Sequence, residues 1–254
     1  MFIQSRSNPK IKHIRQLAQR KYRQKTAQYV IEGATLIAEA LQQGWHLDSL
    51  YGTAEALEAL RVPTTAAQYT LPEELMDYVS QLQSSRDVLG VFEQRPIAED
   101  EHRASAWILA DRLQDPGNFG ALLRLADALN WRGVMAYGHT PDPFQMKVIR
   151  GSMGASLRLP VLSVTEATLM DYQRQGWHVV ATAAEATVQS TQAELPRQCI
   201  LALGHEGQGL HENLRELADL AIGIPIHPRV ESLNVVTAGA MLAHEYLRQH
   251  GNAL

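Results

Sequence analysis

Short apolar runs alternate with longer stretches of helical period in two series, one on each side of the polar segment Gln94–Ala104. A chain patterned in this way has few places to put its strands except inside sheets covered by helices, so an α/β class is predicted twice over. In the first series, Asn8-Pro9 reads as a helix start, with an apolar stripe at Ile11, Ile14 and Leu17. The run at 28–31 and the runs Leu47–Tyr51, Gln68–Leu71 and Val88–Phe92 read as strands. Gly33–Gln43, closed by Gly44, and Pro72–Gln83 read as helices, which together make a small α/β/α domain. In the second series, strands are predicted at Trp107–Ala110, Gly133–Tyr137, Val161–Val164, His178–Ala183, Cys199–Leu203 and Leu220–Ile226. A final amphipathic helix is predicted at Val235–Arg248. Mostly parallel pairing is expected. The boundaries drawn are 1–94 for the first domain, 95–104 for the linker and 105–254 for the second domain.

The net charge of −4 argues by itself against a nucleic-acid partner, but its distribution reverses that impression. Eight Lys and Arg residues, and no acid, fall in residues 1–31, which leaves −12 for the remainder. Lysine and arginine neutralise phosphates and release condensed counterions, so Lys10, Lys12, Arg20, Lys21 and Arg23 are candidate RNA contacts. The competing reading is a solvated helix face. The one cysteine, Cys199, lies inside an apolar strand, so an internal disulfide is excluded and a reducing, cytoplasmic setting is expected. No apolar stretch is long enough to suggest a membrane span.

Four segments of the second series could carry chemistry, because ligands of open α/β sheets bind beyond the carboxyl ends of the strands. The first is Asp115-Pro116-Gly117-Asn118-Phe119-Gly120, which leads into a helix with its core stripe at Leu122, Leu125 and Leu129. Asn118 is a candidate helix cap. Arg124 lies off the stripe, and its helical neighbours Gly120, Ala121 and Ala128 leave room for a ligand or another backbone; otherwise it is a plain surface arginine. The second segment, Arg150-Gly151-Ser152-Met153-Gly154-Ala155, permits tight helix packing and offers Arg150 to a phosphate. The third, Leu203-Gly204-His205-Glu206-Gly207-Gln208-Gly209-Leu210, follows an apolar strand, and its glycines let backbone approach a bound molecule. A simple turn would look the same. The fourth is Ile224-Pro225-Ile226 followed by Glu231-Ser232-Leu233-Asn234, where Ser232 or Asn234 could merely cap the last helix. There is no zinc-type His/Cys cluster, phosphate-binding P-loop, nucleophile elbow or dinucleotide fingerprint.

Taken together, these segments resemble the three motifs of the SpoU/TrmH-like branch of the knotted SPOUT methyltransferases. Asn118 to Arg124 is similar to the first motif, Leu203 to Leu210 to the second, and Ile224-Pro225-Ile226 with Ser232-Leu233-Asn234 to the third. Arg150–Ala155 with Leu159-Pro160-Val161 resembles the signature between them. The resemblance covers about residues 106–248. A weaker one, carried by Asn8-Pro9-Lys10-Ile11-Lys12 and Val30-Ile31-Glu32-Gly33, links residues 4–93 to the substrate-binding domain often placed before such catalytic domains. Asn130 stands where glycine is common, and His205 where a smaller polar residue is usual.

The resemblance implies a C-terminal trefoil knot, a homodimer, and transfer of a methyl group from S-adenosylmethionine to a ribose 2′-hydroxyl of structured RNA. The expected substrate is 23S ribosomal RNA, with transfer RNA or a non-catalytic RNA-binding role as alternatives. It places the cofactor on Leu203, Gly204, Gly209, Ile224, Ile226 and Leu233, and the chemistry on Asn118, Arg124, Glu206, Ser232 and Asn234. An unrelated nucleotide-binding enzyme with a plain parallel sheet is the remaining rival; the missing dinucleotide fingerprint speaks against it.

Overall fold

The computed structural model describes residues 1–60, 65–80, 88–183, 185–205 and 207–251. The first unit comprises helices α1 (Pro9–Gln16) and α2 (Arg20–Thr26), strand β1 (Gln28–Glu32), α3 (Ala34–Gln42), β2 (Leu47–Gly52), α4 (Ala54–Ala59), β3 (Ala67–Thr70), α5 (Glu73–Val79) and β4 (Leu89–Glu93). Asn8 caps α1 by accepting from the Lys10 amide at 2.9 Å, with Pro9 at the first helical position. The sheet order is β1-β4-β2-β3, antiparallel except for the β2–β3 pair. Strand alternation sends Val30 and Val91 to one face, against Ile11, Ile14 and Met76. It sends Tyr29, Ile31 and Phe92 to the other, against Ile37 and Ala40. The expected α/β/α layering results.

Residues 94–103 form neither helix nor strand. The second unit then contains β5 (Ala104–Asp111), α6 (Pro116–Ala128), β6 (Trp131–Tyr137), α7 (Met146–Gly151), β7 (Val161–Val164), α8 (Glu166–Arg174), β8 (His178–Thr182), β9 (Val188–Gln189), β10 (Cys199–Leu203), α9 (Glu212–Leu217), β11 (Leu220–Gly223) and α10 (Val235–His250). Among the described residues, its seven strands lie in the order β7-β6-β5-β10-β8-β11-β9, and every pair is parallel. Ile108 and Ala110 of β5 face Phe119, Leu122, Leu242 and Tyr246 from α6 and α10, while Trp107 and Leu109 face Leu169 and Leu214 from α8 and α9. Burial on both faces explains why β5 and β10 are continuous apolar runs. No helix among the described residues is long and apolar enough to cross a membrane.

The structure differs from the sequence expectations at several points. The last strand ends at Gly223 rather than Ile226, which releases Ile224-Pro225-Ile226 as a loop. Helix α5 ends at Val79, and residues 81–83 of the expected helix lie outside the described residues. Helices α2 and α4 and strand β9, of seven, six and two residues, are too short to show a period. Asn130 has φ +55, the left-handed conformation that glycine serves elsewhere and that asparagine tolerates.

The two units share a helix. Met146 and Ile149 of α7 enter the two cores of the first unit, whereas Val148 enters the core of the second. Phe144, just before α7, packs on Tyr29 and Trp45 with ring centroids 4.8 and 5.9 Å apart. The Trp45 indole N–H donates to the Leu157 carbonyl at 3.1 Å, and Arg158 pairs with Glu39. On its other side α7 meets α6 backbone to backbone. A Cβ on Gly120 would lie 2.9 Å from both the Ser152 nitrogen and the Val148 oxygen. The close approach of α7 therefore requires glycine at position 120.

Candidate active site

In the sheet order, the chain runs outward from β5 through β6 to β7 on one side. On the other side lie β10, β8, β11 and β9. The switch of direction falls between β5 and β10, so the carboxyl ends of these strands are where the topology opens a crevice. Three loops leave from this rim: Arg112–Asp115 after β5, Gly204–Leu210 after β10 and Ile224–Asn234 after β11.

The second of these loops folds back on its own start. His205 and Gly209 exchange backbone hydrogen bonds of 3.1 and 2.9 Å, and Gly209 takes φ +66. A Cβ on Gly204 would sit 2.3 Å from the Gly209 carbonyl carbon and 2.4 Å from the Leu210 nitrogen. Gly204 is thus enforced by the chain's own return path. Asp111, fully buried, holds the loop from the β5 side: it accepts from the His211 amide at 2.6 Å and from the Arg112 guanidinium at 2.8 Å. Arg112 in turn reaches the Gly209 carbonyl at 3.4 Å. Glu206 lies outside the described residues.

Between the β8 and β11 ends, Thr182, Ile222, Ile224, Ile226, Ser232 and Leu233 line one cleft. Its lining is mostly aliphatic. Among the described residues, Ile224, Ile226 and Leu233 make no backbone hydrogen bonds, so polar main-chain groups are available beside the apolar side chains. Leu203 is buried beneath this region, close to Gly239 of α10. The cleft suits a flat heteroaromatic group with hydrogen-bonding edges, such as an adenine.

The first and third loops also touch. Asp115, and not Asn118, caps α6, accepting from the Asn118 amide at 2.7 Å. That leaves the Asn118 side-chain oxygen to accept from the Asn234 side-chain amide at 3.2 Å. Asn234 caps α10 by accepting from the Val236 and Thr237 amides at 2.9 and 3.4 Å. Ser232 does not cap; it belongs to the cleft. Arg124, two turns into α6, is exposed, and its side chain makes no hydrogen bond or ion pair among the described residues. Arg150 is exposed on α7.

Of the expected RNA-contacting cations, Lys10, Lys12, Arg20 and Lys21 are exposed on α1 and α2. Arg23 must be withdrawn from that group. It is 3% exposed, and its guanidinium donates to Asp142 at 2.7 and 2.9 Å and to the Leu17 and Ala18 carbonyls at 2.8 and 2.9 Å. A buried guanidinium occupied in this way has no face left for a phosphate; it fastens the two units together.

Residues 105–244, more than half the chain, match the SpoU rRNA Methylase family. This chain belongs to the SpoU rRNA Methylase family. Residues 8–90 also match the MRM3-like substrate binding domain. Family relatives align over nearly the whole length. An uncharacterized tRNA/rRNA methyltransferase of Synechocystis sp. is 32% identical over 97% of this chain and 93% of its own. The 23S rRNA (guanosine(2553)-2′-O)-methyltransferase RlmP of Bacillus subtilis is 29% identical over 95% and 97%. Among solved structures, the AdoMet-bound rRNA methyltransferase of Sinorhizobium meliloti superposes with a TM-score of 0.85 at 29% identity, covering 98% of this chain and 97% of that one. The SPOUT methyltransferase fold expected from the motifs is the fold observed.

Within this SpoU-type frame, sequence reasoning missed Asp111 and Arg112, which brace the Gly204–Leu210 loop, and Thr182, which borders the cleft. Thr182 stands at a strand end, a signal that could have found it. Nothing local distinguishes Asp111 from any acid that ends a strand.

Proposed function

We propose that this chain transfers a methyl group from S-adenosylmethionine to a ribose 2′-hydroxyl of 23S ribosomal RNA in the cytoplasm. The reading is carried by the cleft at the β8 and β11 ends, with Asn118 and Asn234 joined beside it. This arrangement occurs in a chain similar over nearly its full length to RlmP and to an AdoMet-bound rRNA methyltransferase. Leu203, Gly204, Gly209, Ile224, Ile226 and Leu233 would hold the cofactor, whose sulfonium supplies an already activated methyl group. Catalysis then rests on positioning and electrostatics. Arginine is effectively always protonated, so Arg124 acts as a cation rather than a base, gripping the adjacent phosphate and stabilising the developing alkoxide. Asn118, oriented by Asn234, together with Ser232 and Glu206, orients the ribose.

In this proposal residues 1–94 grip RNA through Lys10, Lys12, Arg20 and Lys21, residues 95–104 link, and residues 105–254 carry out methyl transfer, with Arg150 as a further phosphate contact. A trefoil knot in the second unit and a homodimer belong to the same reading; light scattering tests the dimer. The deciding experiment incubates the protein with labelled S-adenosylmethionine and total RNA and then maps the modified nucleotide. A 2′-O-methyl mark on 23S rRNA is expected. Label confined to transfer RNA, label on a base, or no label at all would overturn the proposal.

A further inference from the structure

A second cleft, of about 560 Å3, opens between the two units and shares no lining residue with the first. That volume falls within the roughly 300–1,000 Å3 usual for small-molecule sites. Ala18, Arg20 and Arg23 face it from the first unit. The second unit supplies the turn before α6 and the segment between β6 and α7.

The floor of this cleft is electrically settled. Arg23 and Asp142 satisfy each other, and Asp142 also accepts from the Phe144 amide at 2.9 Å. What faces a visitor is different. Arg20 spends one guanidinium nitrogen on the Thr140 carbonyl at 3.0 Å and keeps its remaining donors. The side chains of Gln114, His139 and Gln145 make no hydrogen bond among the described residues. Leu113, Pro116 and Pro141 provide apolar wall. One cation, two primary amides and apolar sides match the parts of a nucleotide: a phosphate, a base edge with donors and acceptors, and a base face.

Location narrows the choice. Gln114 is four residues before Asn118, at most about 14 Å of chain. We propose that this cleft receives one nucleotide of the RNA strand flanking the methylated one. Arg20 takes its phosphate, and Gln114 and Gln145 read its base edge. This rests on the methyltransferase reading above and adds a specificity site to it. Unstacked bases splayed from structured RNA are the usual targets of sequence-specific recognition, and a cleft between two units packed together through α7 can hold one near the reacting ribose.

The test uses the full chain and a Gln114→Ala/Gln145→Ala variant. Short oligoribonucleotides carrying 5-iodouridine are photocrosslinked at saturating S-adenosylmethionine, so that the cofactor cleft is filled, and crosslinked peptides are mapped. Crosslinks within residues 111–116 or 139–145, abolished in the variant, are expected. In parallel, the variant should raise KM for 23S rRNA at least tenfold while cofactor affinity stays within twofold. Crosslinks confined to other surfaces, or an unchanged KM in a folded variant, would overturn the inference. If the wild type methylates no RNA, the function proposed above fails, while the crosslink map still decides whether the cleft takes a nucleotide.

Discussion

The side-chain amide of Asn234 donates to the side-chain oxygen of Asn118 across 116 residues of sequence, at 3.2 Å. The same Asn234 uses its oxygen to cap α10, so one side chain serves the helix with one atom and holds Asn118 with the other. Asn234→Asp keeps the capping oxygen and loses the donor. It should leave thermal stability near wild type and slow methyl transfer at least tenfold. Asn234→Ala should lose both, with a stability cost of about 0.5–2 kcal/mol. Melting curves and single-turnover methylation rates separate the two. Equal rates for Asn234→Asp and wild type would reduce the contact to a structural detail.

Arg124 is exposed and unpaired among the described residues, so its removal costs the fold little. Arg124→Ala is expected to lower kcat by about a hundredfold or more, the scale on which removing one electrostatic stabiliser acts. The melting temperature should stay unchanged and cofactor affinity should stay within a few-fold. Calorimetric titration with S-adenosylmethionine beside the rate assay checks this; a collapse of cofactor binding would relocate the residue's role.

Gly204 meets its own chain. Because a Cβ there would lie 2.3–2.6 Å from Gly209 and Leu210 backbone, even Gly204→Ala must displace the loop. Destabilisation of about 1–3 kcal/mol is expected, together with weaker cofactor binding. An alanine variant with wild-type melting and wild-type affinity would show that the loop moves freely.

Arg23 and Lys21 should part company when mutated. Arg23→Ala strands a buried Asp142 and should cost about 3–5 kcal/mol. Replacing Lys10, Lys12, Arg20 and Lys21 by Gln should spare stability. It should also flatten the dependence of RNA affinity on salt, by up to about 0.7 for each single-strand phosphate no longer neutralised. Anisotropy titrations at several salt concentrations decide; overlapping slopes would take this surface out of RNA binding.

Acid should loosen one corner of the second unit. Hydrogen bonds from the Tyr137 hydroxyl, and then from the Asn213 amide, hold the Glu166 carboxyl down to about 2. Its value is lower folded than unfolded, so its contribution is complete above about pH 5. That contribution disappears as pH falls from there through about 2. Glu166→Gln should flatten that part of a stability–pH curve measured by denaturant melts, and an unaltered curve would show the contact to be idle.

Strands such as β5 and β10 are legible in sequence because burial on both faces writes an unbroken apolar run. The same rule overextended β11, since Ile224 and Ile226 are apolar for the sake of a cleft rather than a sheet. Cations are legible as a block but not one by one. Nothing local tells that Arg23 turns inward while Lys21 does not, because the deciding partner, Asp142, lies 119 residues away. Gly120 carries the same ambiguity: smallness is visible, but the neighbour that demands it is not.

Helix α7 is owned by two cores, and this constrains how such a protein can change over generations. A cut within residues 95–104 severs the chain but leaves α7 joined to both cores. A first unit parted from the rest would lose the cover that Phe144 gives Tyr29 and Trp45, and Ile149 and Leu157 would leave the same core. Grafting a different first unit onto the second therefore requires residues 142–157 to be refitted as well, although they lie far beyond the seam. The first unit and the stretch around α7 are a single fitting, so a change in the packing surface of one calls for a matching change in the other.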